Sequence, residues 1–269
     1  MSAQFTILYG GHSDIGLVRK ENQDAYGAFP EGDIPPDRQR AYLFLVADGM
    51  GGHRGGGEAS GLALEVIRDS FLNSPDDPLP NRLQKAFRLA NEAIYQHSCQ
   101  IFPPAVMGST CTALAISNDS ACIAHVGDSR AYRISRSDIR QMTKDHSVVG
   151  EMLRRGQIPK EAAALHPERS LITRALGVKP EVKVDIIEGI SPGESDAFLL
   201  CTDGLSNAVS EAEMQTIILS HQAQDACKAL VDLAVSRGGE DNVTAQVVHV
   251  QRSVSLGDRL QGLLRRGAS

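Results

Sequence analysis

Five aspartates stand at the ends of apolar runs or beside small, turn-forming residues. Asp48 closes the run Ala41-Tyr42-Leu43-Phe44-Leu45-Val46-Ala47 and precedes Gly49. Asp203 follows Ala197-Phe198-Leu199-Leu200-Cys201-Thr202 and precedes Gly204. Asp24 follows Asn22-Gln23, Asp128 lies in Gly127-Asp128-Ser129-Arg130, and Asp241 precedes Asn242 where the last strand opens. A buried strand delivers its terminal carboxylate to a fixed place at the sheet edge. The glycine after it lets the backbone turn and lets a cation or water approach the main chain. Carboxylates gathered in one place cannot all stay ionised without a counter-charge. Hard divalent cations such as Mg²⁺ or Mn²⁺ supply that charge and prefer oxygen ligands. Any one of these aspartates alone reads as a turn; the five together, with their particular neighbours, point to a cation site.

Other chemistries lack their defining residues. No G-x-G-x-x-G register fits the glycine-rich stretch 49–57, and there is no P-loop, G-x-S-x-G elbow or H-E-x-x-H. The five cysteines, Cys99, Cys111, Cys122, Cys201 and Cys227, form no C-x-x-C pair. They read as reduced thiols of a cytoplasmic protein, not as a disulfide framework. The 27 Lys and Arg against 33 Asp and Glu give a net charge of −6, which argues against a nucleic-acid partner. No apolar run approaches the ~18 residues of a membrane span, and the start carries no secretory pattern.

Elements that could position the aspartates follow from periodicity. Residues 4–9, 24–29 and 41–47 read as strands, the last covered on both faces. Ala59, Leu62, Ala63, Val66, Ile67, Ser70 and Phe71 make one amphipathic helix, and Leu83, Ala86, Phe87, Ala90, Ile94 and His97 a second. Residues 108–117, 120–126 and 130–135 read as strands joined by hairpin turns at Ser-Asn-Asp-Ser and Gly-Asp-Ser. The stretch 144–177 reads as short helices in a surface excursion. Strands at 182–188 and 196–201, helices at 210–220 and 223–236 and a strand at 242–250 complete the chain. The 42% apolar, 269-residue chain thus predicts one α+β domain of mainly antiparallel sheets with helices packed outside.

Six segments, in order, carry a family resemblance: Ser13-Asp14-Ile15-Gly16-Leu17-Val18-Arg19-Lys20-Glu21-Asn22-Gln23-Asp24, Ala47-Asp48-Gly49-Met50-Gly51-Gly52, Gly108-Ser109-Thr110, Gly127-Asp128-Ser129-Arg130, Cys201-Thr202-Asp203-Gly204 and Asp241-Asn242-Val243-Thr244. Together they resemble the bacterial metal-dependent protein serine/threonine phosphatases of the PPM, or type 2C, family. The resemblance implies a four-layer α/β/β/α sandwich: two central, mainly antiparallel sheets flanked by helix pairs. It assigns residues 1–250 to a phosphatase domain, with 144–177 as a flap and 251–269 as a short basic amphipathic tail. It implies hydrolysis of phosphoserine and phosphothreonine in proteins by a metal-bridging hydroxide, with two Mn²⁺ or Mg²⁺ ions and a labile third.

The same resemblance assigns roles. Asp48 bridges two ions and the Gly49 carbonyl holds one of them. Asp203 and Asp241 complete the second site, Asp24 acts nearby through water, and Asp128 helps hold the third ion. Arg19 grips the substrate phosphate. Phosphorylated proteins are the implied substrates, a cognate Ser/Thr kinase pathway the implied partner, and a monomer the expected state. Three departures stand out: Gln23 where the family often has Glu, Met50 in place of the His that serves as general acid in many members, and Asn207 in place of an acid that supports the third ion. Two rival functions share the site, a catalytically weak phosphoprotein-binding module and a small-molecule phosphoesterase.

Single residues carry plainer expectations. His146 reads either as a substrate contact or as a helix-start residue. Thr110 reads either as a neighbour of the metal site or as a strand residue paired in the sheet, His53 as a solvated loop residue, His125 as packed, and Ser129 as part of a turn. Arg154 and Arg155 read as a solvated helix face. The tail, with Leu256, Leu260, Leu263 and Leu264 on one face, reads as packing on its own domain or fraying.

Overall fold

The computed structural model describes residues 5–30, 41–51, 55–101, 107–117, 120–163, 166–193 and 195–252. His53 and the tail beyond residue 252 lie outside them. The chain runs β1 (Phe5–Asp14), β2 (Asp24–Phe29), β3 (Tyr42–Met50), α1 (Gly55–Leu72), α2 (Leu79–Ile101), β4 (Gly108–Ser109), β5 (Cys111–Ile116), β6 (Ala121–Val126), β7 (Arg130–Ile134) and β8 (Ile139–Gln141). It continues through α3 (Val148–Arg154), α4 (Lys160–Ala163), β9 (Asp185–Ile190), β10 (Ala197–Cys201), α5 (Asp203–Ser206), α6 (Glu211–Ser220), α7 (Ala223–Ser236) and β11 (Val243–Arg252).

The strands form two antiparallel sheets, ordered β1-β11-β10-β7-β8 and β2-β3-β5-β6-β9, with β4 paired to β3. Alternation along β3 explains its unbroken apolar run. Leu43, Leu45 and Ala47 face α1 and α2, while Tyr42, Phe44 and Val46 face the second sheet. Strand β10 does the same: Ala197, Leu199 and Cys201 pack under α6 and α7, and Phe198 and Leu200 meet Phe44 and Leu114 between the sheets. The result is the expected four-layer sandwich. Its outer helices are set by their apolar stripes, Ala59, Ala63, Ile67 and Phe71 on α1 and Leu83, Ala86, Phe87, Ala90 and Ile94 on α2, all fully buried.

Three local expectations change. The Gly127-Asp128-Ser129 turn does not close a hairpin: β6 belongs to one sheet and β7 to the other, so this turn is a crossover. Gly127, with φ of +113° and a Cβ position only 2.5 Å from Thr110 Cβ, permits the sharp change of direction. The first strand extends to Asp14 because ten residues pair with β11. The segment 108–117 divides at Thr110, whose backbone and side chain turn to Asp48.

Candidate active site

One rim of the sandwich gathers the carboxylates from both sheets. Asp24 and Asp48 are cross-strand partners on β2 and β3. Asp203 opens α5 directly after β10, and Asp241 stands two residues before β11. Asp128 sits on the crossover between sheets.

Each is held by its backbone or by small hydroxyls. The Asp48 N–H donates to Thr110 Oγ1 at 2.9 Å, and its carbonyl accepts from Thr110 N–H at 2.8 Å. Asp24 Oδ2 accepts from Thr202 at 2.8 Å and from Thr244 at 2.6 Å. Ser13 and Thr244 hydroxyls lie 2.8 Å apart, and Asn22 Nδ2 donates to Ser13 Oγ at 2.9 Å, so a chain of hydrogen bonds runs from the Arg19 loop to Asp24. Asn242 Nδ2 donates to the carbonyls of Ile15 (2.9 Å) and Glu21 (3.1 Å), and its Oδ1 accepts from Gln23 N–H at 2.8 Å. Gly49 N–H donates to the Gln23 carbonyl at 3.1 Å, and a Cβ on Gly49 would lie 1.9 Å from the Gly56 carbonyl oxygen. No residue larger than glycine fits between β3 and the start of α1.

The electrostatics follow from this crowding. Burial and the charges of Asp24, Asp203, Asp128 and Asp241 hold the Asp48 carboxyl well above the ordinary carboxylate range. Burial, together with the charges of Asp203 and Asp241, pushes Asp24 up to about 7 despite its two hydroxyl donors. Burial and Asp203 push Asp128 up to about 7 as well. Burial and Asp241 raise Asp203. The five therefore share one field, although they come from distant parts of the chain.

The fit to a divalent cation rests on oxygens without partners. Asp24 Oδ1, Asp128 Oδ1 and Asp203 Oδ1 are buried and accept no hydrogen bond. Buried lone pairs left unpaired are costly unless a cation uses them. Among the described residues, no group of three or more His, Cys, Asp or Glu side chains is placed to hold a metal ion as it stands. The counter-charge comes instead from Arg19, whose Nη2 donates to Asp241 Oδ2 at 2.7 Å and which also feels Asp48 and Asp203. The oxygen donors of these carboxylates are the ligand type a hard cation prefers.

The remaining expected residues fall as follows. His146 is only 3% exposed. Its Nδ1 accepts from Gly127 N–H at 3.0 Å and its Nε2 faces Asp185 at 3.2 Å. It immediately precedes Ser147, which caps α3. Arg174 joins the same network, donating to Asp185 Oδ1 at 2.7 Å, and His146 stacks on His125 with ring centroids 4.7 Å apart. His125 is fully buried, as expected of a packed residue. Ser129 is not only a turn residue; its hydroxyl lies 2.5 Å from that of Thr110. Arg154 is bonded to the Asp145 carbonyl at 2.8 Å and Arg155 pairs with Glu151 along α3 at 3.4 Å. Asn207 donates to Asp203 Oδ2 at 3.2 Å, so the departure from an acid turns a like-charge neighbour into a donor. Sequence reasoning missed Thr202, Thr244 and Asn242 as positioning groups. The signal was present, because each lies within one to three residues of Asp203 or Asp241.

Known proteins place this geometry. The chain is 38% identical over 242 residues to the serine/threonine phosphatase stp of Listeria innocua, covering 88% of this chain and 93% of that protein. It is 35% identical over 245 residues to the serine/threonine protein phosphatase PstP of Mycobacterium tuberculosis, covering 91% of this chain and 45% of PstP. The catalytic domain of a serine/threonine protein phosphatase PstP, solved in complex with two manganese ions, superposes with a TM-score of 0.78 at 32% identity, over 92% of this chain and 99% of that one. The phosphatase MsPP of Mycobacterium smegmatis, solved with cacodylate, gives a TM-score of 0.77 at 35% identity, over 91% and 98%. The family model for protein phosphatase 2C matches residues 18–234, a range that holds four of the five aspartates and every strand but β1 and β11, and the chain belongs to that family.

Proposed function

We propose that this protein hydrolyses phosphoserine and phosphothreonine in other proteins, with two Mn²⁺ or Mg²⁺ ions held among its rim carboxylates. The observation that carries the reading is the set of buried, unpartnered oxygens on Asp24, Asp128 and Asp203 around Asp48, with Arg19 beside them. In this reading Asp48 would serve both ions and the Gly49 carbonyl one of them, Asp203 and Asp241 would serve the second, and Asp24 would orient water. Asp128 serves a weaker third site, where Asn207 offers a donor in place of a negative charge. When bound, such ions activate water and offset charge on the phosphoryl oxygens.

The protein's own groups do the rest. The Arg19 guanidinium presents a planar fork that matches phosphate oxygens. Thr202 and Thr244 fix Asp24 so that its free oxygen faces the cluster. Met50 cannot donate a proton, so the leaving alkoxide takes one from another donor or from water. We assign 1–250 to one phosphatase domain with 144–177 as its flap, acting as a cytoplasmic monomer opposite a Ser/Thr kinase. No described helix is long and apolar enough to cross a membrane.

The test is turnover of phosphothreonine peptides and of a small aryl phosphate, with Mn²⁺, with Mg²⁺ and with chelator. Metal-dependent turnover of both is expected. Aryl phosphate turnover without peptide turnover would overturn the substrate class, and full activity in chelator would overturn the cation assignment.

A further inference from the structure

The loop before Arg19 displays apolar side chains with little packed against them. Leu17 and Val18 are 70% and 65% exposed, the two most exposed large apolar side chains among the described residues. Scattered apolar residues are ordinary on a protein surface. Two in succession, immediately before the residue assigned to phosphate, are not explained by packing.

The loop is also held in place. Gly16 N–H donates to Asp14 Oδ1 at 2.7 Å, and Leu17 N–H donates to the Gly239 carbonyl at 2.8 Å. Asn242 holds the carbonyls on either side, at Ile15 and Glu21. Gly16 has φ of +77°, and a Cβ there would lie 2.3 Å from the Asp241 carbonyl oxygen, so the loop presses directly on the Asp241 backbone. A surface fixed before binding loses little conformational entropy when a ligand covers it. Across from this loop the flap approaches: Arg169 pairs with Glu240 at 3.4 Å, next to Gly239, and Leu171, 52% exposed, follows two residues later.

We infer that Leu17 and Val18, with Leu171 on the flap side, form an apolar subsite for an aliphatic side chain adjacent to the phosphorylated residue of a substrate polypeptide. The inference rests on the phosphoprotein reading above and specifies which phosphoproteins the site prefers. Its occupant follows from continuity with the site. Arg19 and the carboxylate rim fix where the phosphate lies, and the next residues of an extended chain then pass over Leu17 and Val18. Glu21 and Glu240 beside the loop disfavour an acidic flanking residue, and the exposed Leu17, Val18 and Leu171 offer an aliphatic one apolar contact.

The test uses two phosphothreonine peptides that differ only in carrying Leu or Ser at the residues flanking the phosphothreonine, with an aryl phosphate alongside. For the wild-type protein with Mn²⁺, kcat/KM is expected to favour the Leu peptide by about 5- to 10-fold. In Leu17→Ser and, separately, Val18→Ser, the Leu-to-Ser ratio is expected to fall towards one. The ratio cancels any general change in activity or folded fraction. A wild-type ratio near one, or a ratio kept in both variants, overturns the subsite while leaving the phosphatase reading intact. Turnover of the aryl phosphate with neither peptide touched overturns the phosphoprotein reading itself, and the subsite with it.

Discussion

The Arg19 guanidinium lies 2.7 Å from the Asp241 carboxylate, so the group assigned to grip phosphate is engaged with a group assigned to hold metal. In the metal-free chain this pair relieves part of the repulsion among the rim carboxylates. A cation held by Asp241 would compete with this pair and free the arginine for phosphate. Arg19→Ala is therefore expected to tighten Mn²⁺ binding in the absence of substrate by a few-fold, about the worth of a solvent-exposed charge pair, while raising KM for phosphopeptide. Calorimetric titration of metal into the two proteins checks it; weaker or unchanged metal binding in the variant refutes the exchange.

Burial, reinforced by four neighbouring carboxylates, holds Asp48 well above the ordinary carboxylate range. Asp48→Asn removes a charge that the metal-free fold tolerates badly, and removes a ligand that the loaded site needs. The metal-free variant is expected to melt higher than metal-free wild type near neutral pH. Its turnover with saturating Mn²⁺ is expected to fall by about 10³-fold or more. Paired melting curves and initial rates decide; a lower melting point, or near-normal turnover, would contradict the assignment.

The pH dependence has a definite sign. Asp24 and Asp128 are each pushed up to about 7, against an ordinary carboxylate near 4. Between those values the metal-free fold holds more protons than the unfolded chain, so these two groups contribute less stability as pH rises from about 4 to 7. Bound cations replace the protons and cancel the loss. The gap in melting temperature between metal-loaded and chelated protein is therefore expected to widen from pH 5 to pH 8. A gap that stays constant or shrinks would argue against cations at these oxygens.

Thr202 and Thr244 converge on a single oxygen, Asp24 Oδ2. Thr202→Val and Thr244→Val keep side-chain shape and remove one donor each. Supporting hydrogen bonds of this kind are worth about 10- to 100-fold in metal affinity or activity. Each variant is expected to lose about 10-fold in kcat with little change in KM, because neither hydroxyl is assigned to substrate. Steady-state kinetics at saturating metal provides the measurement.

His146 ties three segments together: Gly127 beside Asp128, Asp185 on β9, and Arg174, which reaches both His146 and Asp185. His146→Ala removes both the acceptor that meets Gly127 N–H and the group that faces Asp185. KM for phosphopeptides is expected to rise several-fold while aryl phosphate, too small to reach the flap, is affected less. Equal effects on both substrates would place the role of His146 in general stability.

Most of the site was legible in sequence because its signal is local. An apolar strand ending in Asp-Gly says where the carboxylate goes without knowing what the strand pairs with, and Asp48 and Asp203 were readable on that ground. What pairs with what was less legible. Gly127-Asp128-Ser129 has the composition of a hairpin turn, yet it carries the chain from one sheet to the other. Nothing local distinguishes the two outcomes; the choice is made by Phe198, Leu200 and Val248 packing between the sheets. The burial of His146 was hidden for the same reason, since its partners are 19 and 39 residues away.

The rim draws Asp24 and Asp48 from one sheet and Asp203 and Asp241 from the other, with Asp128 on the chain that crosses between them. Neither sheet owns a complete centre. A slip of the two layers by even an ångström would dismantle it while every strand stayed paired and every helix stayed wound. Turnover is thus a gauge of alignment between the layers: it fails when the halves of the sandwich drift, well before a spectroscopic measure of helix and strand content would register a change.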